Sequence, residues 1–151
     1  SPTAFDLPWR LFAINTHHET PEAAMVRFAP LPDGRLWIFQ SHMERARAML
    51  FDRPSDPKQL WTERRYGEDM QLSRLHGVVR IGADVIAGEH NGPKSRVLLF
   101  RPGAEPRTLR TGIDVLLIFA ANHADLLLVG PRAITRWSYL RPSASEGSQL
   151  P

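Results

Sequence analysis

Asp33-Gly34-Arg35-Leu36-Trp37-Ile38-Phe39, followed by Met49-Leu50-Phe51-Asp52-Arg53-Pro54, returns twice more along the chain in altered form. The second occurrence is Gly82-Ala83-Asp84-Val85-Ile86-Ala87-Gly88 with Val97-Leu98-Leu99-Phe100-Arg101-Pro102. The third is His123-Ala124-Asp125-Leu126-Leu127-Leu128-Val129-Gly130 with Trp137-Ser138-Tyr139-Leu140-Arg141-Pro142. In each, a polar residue opens a short apolar run and an Arg-Pro closes a second run. The distances from opener to proline are 19, 18 and 17 residues (Arg35 to Pro54, Asp84 to Pro102, Asp125 to Pro142). From copy to copy the opener advances by 49 and 41 and the proline by 48 and 40, so two separate landmarks keep step. Self-similarity at such a period is the signature of a repeat architecture.

Each copy resolves into strands. The apolar runs are short, rich in β-branched and aromatic residues, and bounded by Gly, Pro, Asn or Asp. A first strand is expected over Ala24 to Ala29, Leu75 to Ile81 and Val115 to Ala121. Tight turns follow at Pro30 to Gly34, Gly82-Ala83 and Asn122 to Ala124, where Gly and Asn accept the positive φ such turns can need. A second strand covers Leu36 to Gln40, Val85 to Gly88 and Leu126 to Val129. The third ends at each Arg-Pro, since proline has no N–H for the ladder. The fourth covers Gln59 to Glu63 and Arg107 to Arg110, and in the last copy would begin near Gln149. No 3.6-residue apolar period persists over a helix length; the nearest, Glu44 to Phe51, is short.

A four-strand antiparallel meander repeated in this way resembles the blade of a β-propeller, a likeness of architecture without a specific family. The fold class implied is all-β and propeller-like, about three four-stranded antiparallel blades plus an N-terminal closing strand at Arg10 to Thr16. The divisions are residues 1–23 for the N-terminal strand and loop, 24–69, 70–112 and 113–151 for the three blade-like units, the last incomplete, all in one domain.

Composition narrows the functional classes. The chain has 151 residues, 42% of them hydrophobic, enough to bury a core. Its longest apolar run, Val115 to Ala121, has strand length, which speaks against a membrane-spanning helix. Cysteine is absent, which rules out disulfides, thiolate metal sites and cysteine nucleophiles. The formal charge is only +3, and the basic residues other than Lys58 and Lys94 are arginines interleaved with acids, as in Glu63 to Asp69; this disfavours nucleic acid as a partner.

Histidines are the candidates for chemistry. His42 and His90 fall just after second strands, His17 follows the N-terminal strand, and His123 sits in the turn before a second strand. Converging on a propeller axis, they would bind iron, manganese or zinc as neutral imidazoles; the simpler expectation is solvated rim turns and no cofactor. Glu89-His90, with Asp84 nearby, offers an acid-base pair. Trp9, Trp37, Trp61 and Trp137 are expected mainly as core, with sugar stacking as the sharper alternative. Arg53, Arg101 and Arg141 recur at matching positions and suggest a repeated bond to a neighbouring blade's carboxylate or carbonyl.

The expectation is therefore a non-enzymatic binding or scaffold module acting through loops and blade edges. A lyase or oxygenase with a His-bound axial metal is the alternative, and a carbohydrate-binding lectin a further one. Three blades leave the ring open, so a protein partner or self-association is expected to close it, two chains head to tail giving six blades. Localisation is not legible in the residues.

Overall fold

The computed structural model describes residues 24–56, 58–140 and 148–149. They form an all-β structure of three antiparallel sheets, each a meander in chain order. The first sheet comprises β1 (Ala24–Pro30), β2 (Leu36–His42), β3 (Arg45–Asp52) and β4 (Thr62–Tyr66). The second comprises β5 (Leu75–Ile81), β6 (Asp84–Glu89), β7 (Arg96–Arg101) and β8 (Ala104–Thr111). The third comprises β9 (Leu117–Ala120), β10 (Asp125–Val129), β11 (Ile134–Ser138) and a two-residue β12 (Ser148–Gln149), which pairs with β11 through Thr135 and Arg136. Single 3-10 turns at Glu68–Met70 and Gly92–Lys94 are the helical segments among the described residues. The expected strand at Arg10 to Thr16 lies outside the described residues.

Alternation along the strands builds the core. In β2, Trp37 and Phe39 point to the second sheet while Ile38 points away. In β6, Val85 and Ala87 meet the first sheet, and Ile86 meets the third. In β10, Leu126 and Leu128 meet the second sheet, which leaves Leu127 and Val129 facing outward. The sheets therefore stack in chain order, and the second lends both faces. The first interface is aromatic: Trp37 lies 4.9 Å from Tyr66 and 5.5 Å from Phe100, and Phe39 lies 5.0 Å from Phe100. The second is mainly aliphatic, with Trp137 and Tyr139 added. Each large side chain so buried contributes about 1.5–3 kcal/mol. The leading strands β1, β5 and β9 adjoin in succession. At Gly77 an added Cβ would stand 3.0 Å from the backbone of Leu117 and Ile118, so β5 and β9 meet where a side chain does not fit.

Local expectations are met with some changes. Gly34 and Gly82 take positive φ (91° and 61°) in the turns that need it. Asn122 does not; its side-chain oxygen instead accepts the N–H groups of Ala124 (2.9 Å) and Asp125 (2.8 Å). β4 begins at Thr62 rather than Gln59, because Asp56 holds the preceding segment in a turn through Lys58 N (2.9 Å) and Gln59 N (3.0 Å). Glu44 to Phe51, the nearest thing to a helical pattern, falls mostly in β3.

Candidate functional site

One end of the stack collects the β2–β3 and β6–β7 turns together with the crossovers β4–β5 and β8–β9. Here β6 ends in Glu89, whose side chain is wholly buried. Its Oε1 accepts a bond from Arg96 Nε at 2.6 Å, and its Oε2 accepts from Arg96 Nη2 at 2.9 Å and from Ser73 N at 2.7 Å. A carboxylate survives burial only with such bidentate and backbone partners. Arg96 Nη2 also donates to Met70 O (3.0 Å), so one ion pair ties β6 and β7 to the β4–β5 crossover.

Next to it, His90 Nδ1 lies 2.6 Å from Asp114 Oδ1, which also accepts from Ser95 Oγ (3.0 Å) and Asn91 N (3.2 Å). With a proton on Nδ1 the ring donates to this carboxylate, which fixes its orientation. The His76 ring packs 4.9 Å from that of His90. Burial above all, aided by His90, Arg74 and Arg27, holds the His76 pKa below its ordinary 6.5.

Between the first and second sheets at this end lies a cleft of about 840 Å³, whose walls include Arg45, Arg47, Arg65, Lys94 and Arg96 against Glu44 and Glu68. A smaller depression of about 210 Å³, bordered by Arg74 and His90, shares Glu44, Ser73 and Asn91 with it. Met43 and Gln71 are the non-glycine residues of positive φ among those described (53° and 50°), and they flank and line this region. Left-handed non-glycine backbone costs about 1–3 kcal/mol each and persists where its surroundings hold it. Met43 is held by Arg74 Nε, which donates to its carbonyl.

No known family, curated protein or solved structure matches the chain.

The geometry of the site separates the histidines. His42 and His90 stand at the same end of the sheets but on opposite faces: Ser41, not His42, points to the second sheet, its Oγ accepting from Leu75 N at 3.0 Å. His123 lies in the β9–β10 turn at the other end, and His17 is outside the described residues. Among the described residues, no group of three or more His, Cys, Asp or Glu is placed to hold a metal ion. Asp84 is not near Glu89-His90; it opens β6 at the far end and pairs with Arg101 at 2.7 and 3.1 Å, within its own sheet rather than across to a neighbour. Arg35 and Asp52 face each other at the corresponding place in the first sheet (3.9 Å), with the charges exchanged. Arg141 is outside the described residues. Trp37 and Trp137 are buried, Trp61 packs on Ile38, Met49 and Phe51, and Trp9 is outside the described residues. Arg96, Asp114 and His76 were not marked by the sequence: each acts through a partner on another strand or crossover, which no local spacing announces.

Proposed function

We propose that the chain is a propeller-type binding module that takes an acidic segment of a protein partner in the cleft between its first two sheets. The cleft carries this reading: about 840 Å³, at the loop end, with Arg45, Arg47 and Lys94 on its walls against Glu44 and Glu68, besides Arg65 and Arg96, whose charges Glu63 and Glu89 already match. The succession of β1, β5 and β9 along one edge supports blades set around an axis. A protein segment is favoured over nucleic acid because Glu44 and Glu68 interrupt the positive wall, and Tyr66, the ring in its lining, is buried and offers no stacking face. The burial of Trp37 and Trp137 likewise removes two of the rings a lectin would use. Among the described residues, no helix is long and apolar enough to cross a membrane.

Fluorescence anisotropy with a labelled Glu/Asp-rich peptide, a charge-neutral scramble and a single-stranded oligonucleotide tests the proposal. The acidic peptide is expected to bind best, to weaken as salt rises, and to lose at least tenfold in affinity with the Arg45→Glu, Lys94→Glu double variant. Equal binding of the scramble, or tighter binding of the oligonucleotide, would overturn it.

A further inference from the structure

We infer that the chain's own N-terminal segment, through residues 5–11, docks along the outer face of the first sheet and closes that end of the stack. Alternation puts Ile38, Met49 and Phe51 on this face, turned away from the second sheet, yet each is at most 1% exposed. The residues packed against them, Val26, Leu36 and Trp61, belong to the same sheet or to the β3–β4 connection. Side chains stand roughly perpendicular to a sheet, so neighbours within it shield their flanks and leave their tips in water. A further layer therefore lies over the tips. Polar atoms on this face are out of water as well: Gln40 Oε1, both ring nitrogens of His42, and Oε2 of Glu63, which stands opposite Phe51.

The covered strip is narrow, and its width names the occupant. In the row Phe28, Ile38, Met49, Arg65, which crosses β1 to β4 in register, the two central side chains are buried, while Phe28 is 55% and the Arg65 side chain 44% exposed. On the opposite face the second sheet buries residues of all four strands, Ala29, Trp37, Leu50 and Tyr66 among them. A sheet on the outer face, from a further blade or a second copy, would cover it as widely. Two neighbouring strands span about 10 Å, which one extended chain fills. Residues 141–147 join β11 to β12 in the third sheet, at the other end of the stack, and hold no large apolar side chain. Residues 1–23 run directly into β1 of the sheet concerned, and they carry Phe5, Leu7, Trp9 and Leu11 at every second position, with Asp6, Pro8 and Arg10 between. That alternation gives an extended segment one apolar side. Pro8 has no N–H for a ladder, which suits a segment laid on a face rather than added to an edge. Residues 12–23, at about 3.3 Å each, reach up to about 40 Å, enough to pass from Ala24 over the edge strand β1 to β2 and β3. Nor is the segment needed as the fourth strand of the third sheet, which Ser148–Gln149 supplies. A second copy meets this end of the stack only where residues 5–11 have left it.

The chain has no cysteine, so single introduced thiols report the geometry in the full-length protein. A nitroxide on Phe28→Cys, at the exposed border of the strip, is expected to broaden the amide signals of residues 5–11 and the indole signal of Trp9. The same label on Phe119→Cys, 52% exposed on the third sheet, is expected to leave them sharp. In a second measurement, the thiol of Met49→Cys is expected to resist a maleimide, and Leu7→Asp with Leu11→Asp to speed its labelling about tenfold or more by opening that face alone. Leu128→Cys, buried between the second and third sheets, is expected to stay protected in the same background. The nitroxide measurement carries no aspartate, so it decides the matter even where the double variant loosens the whole fold. Sharp signals from residues 5–11 with the Phe28 label overturn the proposal, and so does rapid labelling of Met49→Cys in the otherwise unchanged chain. Broadening of residues 141–147 instead overturns it in favour of the other segment. Broadening equally strong when the nitroxide sits on one chain and the isotope on another overturns it in favour of a second copy.

Discussion

Gly88 and Gly34 are both glycines for a physical reason, but not the same one. At Gly88, which faces the third sheet from β6, an added Cβ would stand 2.5 Å from Val115 Cβ, with the Val115 methyls within 3.0 Å. Alanine there forces the β8–β9 crossover away from β6 and is expected to destabilise by about 1–3 kcal/mol. At Gly34 nothing lies within 4 Å, and the obstacle is the φ of +91° alone. Alanine there is expected to cost about 1–2 kcal/mol, and asparagine, which tolerates positive φ, less. Denaturant titration of the three variants separates the cases: Gly34→Asn should recover much of what Gly34→Ala loses. An unchanged midpoint for Gly88→Ala would show that the crossover yields.

Among the elements, β5 carries a histidine whose protonation the fold opposes. Its His76 sits beneath the crossover end, with His90, Arg74 and Arg27 around it and Asp114 partly opposing them. The folded protein resists protonating this ring, chiefly because burial strips the imidazolium of water, whereas the unfolded chain takes the proton near the ordinary 6.5. Below that pH the unfolded state therefore binds more protons than the folded one, and stability falls as pH drops toward the depressed folded value. Above it His76 is neutral in both states and contributes no slope. Thermal unfolding between pH 7.5 and 5.5 is expected to show falling stability, and His76→Gln to flatten part of that slope. A variant profile parallel to the parent's would assign the slope elsewhere.

The whole molecule is a stack in which the second sheet cannot be separated from its neighbours, since its two faces are the halves of two different cores. Truncating Trp37, fully buried among Phe39, Tyr66 and Phe100, is expected to destabilise by about 3–5 kcal/mol. Because the cores share a sheet, the loss should appear as one earlier transition seen alike by far-ultraviolet circular dichroism and by tryptophan fluorescence. Two separated transitions would mean that the first sheet melts alone.

Strand content, turn positions and the division into three four-strand units are legible in the residues because their causes are local: apolar runs of strand length, proline that cannot donate, and glycine where φ turns positive. The turn at Asn122 lies where the residues place it, held by its side-chain oxygen, and β4 starts three residues later than expected, at Thr62, because Asp56 turns the segment before it. What tertiary structure alone decided is pairing across distance. His42 and His90 look equivalent, yet they lie seven and six residues beyond their openers Arg35 and Asp84, and in a strand one residue of offset reverses the face. His90 therefore finds Asp114, contributed by a crossover 24 residues on, and Glu89 finds Arg96 across a hairpin and Ser73 from the preceding crossover. The same parity left Leu127 and Val129 facing out of the third sheet. Their alternation could be read along the chain, but whether a sheet lies against them depends on how whole sheets stack, which no run of neighbouring residues encodes.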